Sequence, residues 1–174
     1  MRLLVNIGVF AILSLVAISS CSENYSDTQN DWIDISHHEI GNDSWRTKDI
    51  NKYIFVEGDF NGDKIVDKAK LLVLKDNTKL GLFAYVSQEN RTYKIYLLDE
   101  TDDINLFHAM GIKKVTPGLY KTACGKGYWK CKEDELSEIA IQHDAIDYFK
   151  IESANSFFYW DVNENTFKRI WISD

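Results

Sequence analysis

Along most of this chain, apolar and polar residues alternate with a period of two, the spacing of a strand that buries one face and wets the other. The runs at 53–56, 70–75, 79–86 and 91–98 are β-branched or aromatic and bounded by Asp, Asn, Gly or clustered charge. Further runs follow at 119–123, 138–142, 145–151, 156–161 and 166–172. In the last of them Phe167, Arg169 and Trp171 share one face, while Ile170 and Ile172 share the other. The links Asp76-Asn77-Thr78, Glu89-Asn90 and Asn163-Glu164-Asn165 are short and made of turn formers. Such strands and links predict a mainly β domain, an antiparallel meander folded into a sandwich or an open barrel. Two segments, 103–111 and 45–51, predict short helices, the first opening after acidic residues and closing at Gly111. Pro117, the single proline, falls in a loop, and no internal repeat is visible.

The first twenty residues break this pattern. Arg2 is followed by an apolar run over 3–17, interrupted by Asn6, Gly8 and Ser14, and then by Ile18-Ser19-Ser20-Cys21. The run is shorter than the roughly 20 apolar residues a bilayer span needs, and it ends in serines, so an export signal is favoured over a membrane helix. The segment resembles the lipobox of bacterial lipoproteins. That resemblance implies cleavage before Cys21, lipidation of its thiol and a membrane anchor of two or three acyl chains. Ser22, not Asp, follows, which in Gram-negative lipoproteins suits sorting to the outer membrane. Residues 21–31 then read as a lipidated Cys and a polar tether without aliphatic side chains, too poor in apolar surface to order themselves. A single β domain is expected over 32–174, a usual size for one core. The C-terminal stretch 145–174 resembles that of uncharacterised bacterial lipoproteins.

Composition narrows the partners. The 174-residue chain carries a formal net charge of −7 and no basic run, which argues against nucleic acid or anionic headgroups as partners. With Cys21 committed to lipid, Cys124 and Cys131 remain as an even pair, expected to form a disulfide in an oxidising compartment. The rival metal or redox reading lacks CxxC spacing, and His108 and His143 fit no zinc pattern. The enclosed loop holds two glycines and the pair Tyr128-Trp129, a candidate contact tip.

One stretch has metal-binding chemistry in its spacing. Asp59, Asn61, Asp63 and Asp67 fall at relative positions 1, 3, 5 and 9, with the Ile65 carbonyl at 7, which is how a chain coils around a hard cation. The stretch resembles the calcium loop of FG-GAP and VCBS-type β modules, which implies Ca²⁺ held by those five residues in a hairpin. It departs from the family in having Lys64 where a glycine is usual, and in occurring once. The alternative is a metal-free turn in which Asp and Asn side chains take backbone amides.

No catalytic pattern is present: there is no GxSxG, no HExxH, no phosphate-binding glycine loop and no cysteine left over for a nucleophile. The pair His37-His38 diverges by adjacency and lies near the tether. Large rings are instead concentrated near the C-terminus, at 148–149, 157–160 and 167–171. If Phe157 and Tyr159 face the core, Phe158 and Trp160 face a second layer or a partner. Tyr128, Trp129, Phe158 and Trp160 are therefore the candidate recognition aromatics. The expected function is a membrane-anchored, non-enzymatic envelope lipoprotein that binds a macromolecular partner, as an inhibitor or immunity factor against an envelope-active enzyme. A calcium- or glycan-binding component, with peptidoglycan as partner, is the alternative, and a hydrolase ranks last.

Overall fold

The computed structural model describes residues 31–174. The signal segment, the lipidation candidate Cys21 and the tether up to residue 30 lie outside the described residues. The expected all-β, antiparallel architecture is what the chain adopts, as a layered sandwich without a closed barrel.

The first sheet holds β1 (Trp32–Asp34), β2 (Phe55–Gly58), β3 (Asp67–Leu74), β4 (Leu80–Ser87) and β5 (Tyr93–Thr101). Its order is β1-β3-β4-β5, with β2 also paired to β3. Because β4 occupies one edge of β3, the short β1 and β2 share the other, β1 opposite Leu72–Leu74 and β2 opposite Asp67–Lys70. The second sheet is β11-β10-β9-β6, from β6 (Met110–Val115), β9 (Ala145–Lys150), β10 (Asn155–Asp161) and β11 (Thr166–Ser173). A third, two-stranded layer pairs β7 (Gly118–Lys121) with β8 (Glu138–Ile141).

Alternation decides what each face covers. Ala69, Leu71, Leu82 and Ala84 of the first sheet meet Ile112, Ile146, Tyr148 and Phe158 of the second in the main core. On the second sheet's opposite face Phe157, Ala145 and Ile172 pack against Ile139 and Ile141 of β8. Consecutive residues Phe157 and Phe158 are thus both buried, at 5% and 4% exposure, in different cores. The second sheet is the middle layer, and its two covered faces explain the aromatic density of β10. The outer face of the first sheet is capped differently: Trp32 lies edge-on to Phe83 at 5.0 Å. A Cβ at Gly81 would fall 2.8 Å from the Trp32 ring, so that glycine is needed for the cap to seat.

The helices expected at 45–51 and 103–111 are only single 3-10 turns, Ser44–Lys48 and Ile104–His108. Asp103 caps the second by accepting from the Asn105 amide, as its position ahead of the turn suggested. Two strands were not expected, β1 and β6. Residues 53 and 54 tie the sheets together: the Leu71 amide donates to the Ile54 carbonyl and the Ile112 amide to the Tyr53 carbonyl, at 2.9 and 2.7 Å.

Candidate functional site

The loop joining β2 to β3 carries four of the five expected calcium ligands, Asp59, Asn61, Asp63 and Ile65, and the fifth, Asp67, is the first residue of β3. The Asp59 carboxylate accepts the Gly62 amide at 2.8 Å and the Lys64 amide at 3.0 Å, one on each oxygen. Asp63 accepts the Ile65 amide at 2.8 Å and the Asn61 side-chain amide, also at 2.8 Å, while the Asn61 oxygen accepts the Asp63 amide. Asp67 is fully buried, and its two oxygens accept the Phe60 and Ser87 amides at 2.9 and 2.8 Å. Burial pushes its carboxyl above the ordinary carboxylate range, against the pull of those amides. Lys64 takes φ 69, a left-handed conformation that glycine adopts most readily. The loop is thus held together by its own backbone amides. Among the described residues, no three His, Cys, Asp or Glu side chains are gathered as a metal-holding group, Asp59, Asp63 and Asp67 included.

The second sheet's side locks this loop in place. The Asp144 amide donates to the Asp59 carbonyl, and the Asp59 amide donates to the Asp144 carboxylate, at 3.1 and 3.2 Å. Gly62, at φ 82, sits under the His143 ring so closely that a Cβ would come 2.3 Å from it.

The expected disulfide is present: Cys124 and Cys131 are bonded, with Cα atoms 4.9 Å apart. The enclosed loop is braced from several directions. The Lys126 ammonium donates to the Ile172 carbonyl at 2.8 Å, and the Tyr128 amide donates to the Ala123 carbonyl at 3.1 Å. The Trp129 indole N–H is shared by both Glu135 oxygens at 3.0 and 3.1 Å. The Lys132 amide and then that indole hold the Glu135 carboxyl below its ordinary pKa. A Cβ at Gly125 would collide with the Ser137 carbonyl at 1.8 Å, so the chain must be glycine there. Tyr128 is left outward at 53% exposure.

The four candidate recognition aromatics therefore do not form one surface. Phe158 is a correction: it belongs to the main core, because the face of β10 that carries it is the one covered by the first sheet. Trp160 is half-buried at the rim, edge-on to Tyr96 at 5.6 Å and to Phe167 at 5.2 Å. Trp129 is half-buried against Glu135, and Tyr128 is exposed.

Sequence reasoning missed a cleft of about 370 Å³ beside the first 3-10 turn. Trp45 and Tyr53 stack at 5.4 Å, and Phe149 meets both edge-on at 5.8 and 5.6 Å. Beneath them Arg46 is fully buried. Its guanidinium donates to Asp43 at 3.0 Å, to the Met110 carbonyl at 2.7 Å, and to the Lys52 and Phe107 carbonyls. Burial pulls its pKa below the ordinary value, with Asp43 opposing. On the cleft's far wall the buried Asp147 carboxylate accepts from the Asn155 side-chain amide at 2.8 Å and pairs with Lys113 at 3.3 Å. Burial raises the Asp147 pKa, the strongest of these influences. No local pattern announces this arrangement, since two of the arginine's acceptors, the Phe107 and Met110 carbonyls, are distant in sequence.

Comparison of the chain with family models, with curated proteins and with solved structures finds no match.

Proposed function

We propose that this is a lipid-anchored protein of the bacterial envelope that acts by binding a protein partner, without chemical turnover, through the 124–131 loop. The export segment ending at Cys21 supports the location and the anchor. The braced loop carries the binding reading: an exposed tyrosine is presented on a segment already held by a disulfide, backbone bonds and side-chain bonds. A loop ordered before binding loses little conformational freedom on contact, so more of its interaction energy appears as affinity. Tyrosine is also among the residues that most often anchor protein interfaces. The net charge of −7 complements a basic partner, such as a hydrolase that itself binds anionic wall polymer, and would speed their encounter. Inhibition of such an enzyme, or immunity to it, is the role this geometry and charge fit best.

The test is capture of partners from detergent-solubilised envelopes by the full-length protein. A stoichiometric partner retained by wild type and lost by Tyr128→Ala is the expected result. Equal recovery by both proteins, or no partner across a range of salt, would overturn the proposal.

A further inference from the structure

A second cleft, of about 300 Å³, opens at the rim where the two large sheets meet. It draws on separated parts of the chain: Asn61 from the β2–β3 loop, Gln88 and Glu89 after β4, Tyr96 on β5, Trp160 on β10 and Asn165 in the β10–β11 turn. Its volume is at the lower bound of small-ligand pockets, and its walls mix ring surface with amides and carboxylate. One atom sets it apart. The Tyr96 hydroxyl is buried and has no hydrogen-bond partner, the one such side-chain atom among the described residues. A buried polar group left unpaired is costly, and a ligand group that reaches it as the Lys94 side chain moves aside would relieve that cost.

The neighbouring groups are also underused. Gln88 gives its amide hydrogens to the Val86 and Ser87 carbonyls, leaving its oxygen as an acceptor. Asn61 gives one amide hydrogen to Asp63 and keeps a second. The Glu89 carboxylate and the Asn165 amide make no side-chain hydrogen bond with the described residues. The exposed Lys94 ammonium rests 4.9 Å over the Tyr96 ring, a weak cation–π contact on a flexible stem that a ligand can displace.

We infer that this cleft binds a saccharide, with a pyranose ring against Trp160 and sugar hydroxyls bonded to Tyr96, Gln88, Glu89 and the two asparagine amides. An apolar ligand would leave the tyrosine hydroxyl and the amides unpaired. A phosphate or other anion would meet Asp63 and Glu89 against a single lysine. A sugar presents an apolar ring face and a rim of groups that both donate and accept, matching both kinds of wall. This site is separate from the loop proposed to bind protein, so either reading can fail alone.

The experiment is calorimetric titration of the full-length protein in detergent with three soluble oligosaccharides, chitotetraose, cellotetraose and maltotetraose, and with a tetrapeptide of mixed sequence as control. Binding of at least one sugar is expected, with a change in tryptophan fluorescence. Tyr96→Phe should weaken it about tenfold while leaving the melting temperature unchanged or higher, because the substitution removes an unpaired hydroxyl. Glu89→Ala, which breaks no hydrogen bond in the fold, should weaken it as well. No sugar bound at millimolar concentration, binding of the peptide alone, or full affinity in Tyr96→Phe would each overturn the inference; the last would leave a buried water as the hydroxyl's partner.

Discussion

Two of this domain's clefts are similar in size and opposite in character. Beside Arg46, buried polar groups from several segments are brought together until they satisfy one another: Asp43, three carbonyls, and across the cleft Asp147 with Asn155 and Lys113. At the Trp160 rim, a hydroxyl is buried and left without a partner. A complete network holds a fold in one shape, whereas an unpaired buried group carries a cost that a partner from outside can relieve. The larger and more aromatic cleft therefore reads as architecture, and the smaller one as a site.

Substitutions should separate the two. Arg46→Met should have the largest effect, about 3–5 kcal/mol in urea unfolding, since it leaves three carbonyls without this donor and Asp43 with His108 alone. A loss below about 1 kcal/mol would mean that water replaces the guanidinium and the network is dispensable. Removing the disulfide with Cys124→Ser and Cys131→Ser should cost about 2–3 kcal/mol, by the loop-entropy model, and leave both clefts unchanged. Tyr96→Phe should go the other way, with a gain of up to about 1 kcal/mol; destabilisation would show that the hydroxyl already has a partner.

Acidification provides a subtler contrast. Burial raises the Asp147 pKa in the folded state above its unfolded value of 3.8. Between those two values the folded form binds more protons, so this group's contribution to stability rises as pH falls through the folded pKa toward 3.8. The half-buried Asp161, whose pKa Lys168 lowers, loses its contribution as pH falls through its own folded value. Asp147→Asn should reduce the acid-side gain in the stability profile and leave the share of the buried Asp67, whose pKa burial also raises; an unchanged profile would show that Asp147 contributes none of it. The smallest effect should come from chelation. Because the 59–67 loop is held by its own amides, EDTA should leave the melting temperature unchanged, and a clear fall would point to a bound cation.

What was legible in the sequence follows from how local each signal is. Strand alternation is local, and β3, β4, β5, β10 and β11 lie where the period of two puts them. Strand β6 escaped because Gly111 and the adjacent Lys113 and Lys114 interrupt its alternation. Both lysines are drawn to the sheet by carboxylates, Asp147 and Asp144, that only the fold brings near. The predicted helices became single turns because each is held by a few contacts to the sheets rather than by an apolar helical face. Phe158 looked like a surface candidate because nothing in its own strand reveals that the second sheet is covered on both sides. The Asp59–Asp67 loop was legible as a turn, because its Asp side chains bond backbone amides only two to five residues away. The Arg46 network and the Tyr96 hydroxyl were invisible, since each is defined by atoms far apart in sequence.

The short strand β1 has a mechanical consequence. It holds the start of the described chain to the rest by three paired residues, Trp32, Ile33 and Asp34 against β3, supported by the Asp31–Lys75 contacts. A pull on the chain ahead of Trp32 meets this strand first, before any strand of the main core. Peeling it away would lift the Trp32 ring from Gly81 and Phe83 and bare an apolar patch on the outer face, while the two-sheet core stayed closed. Under tension from its N-terminus, this domain would yield a sticky surface well before it yielded its fold.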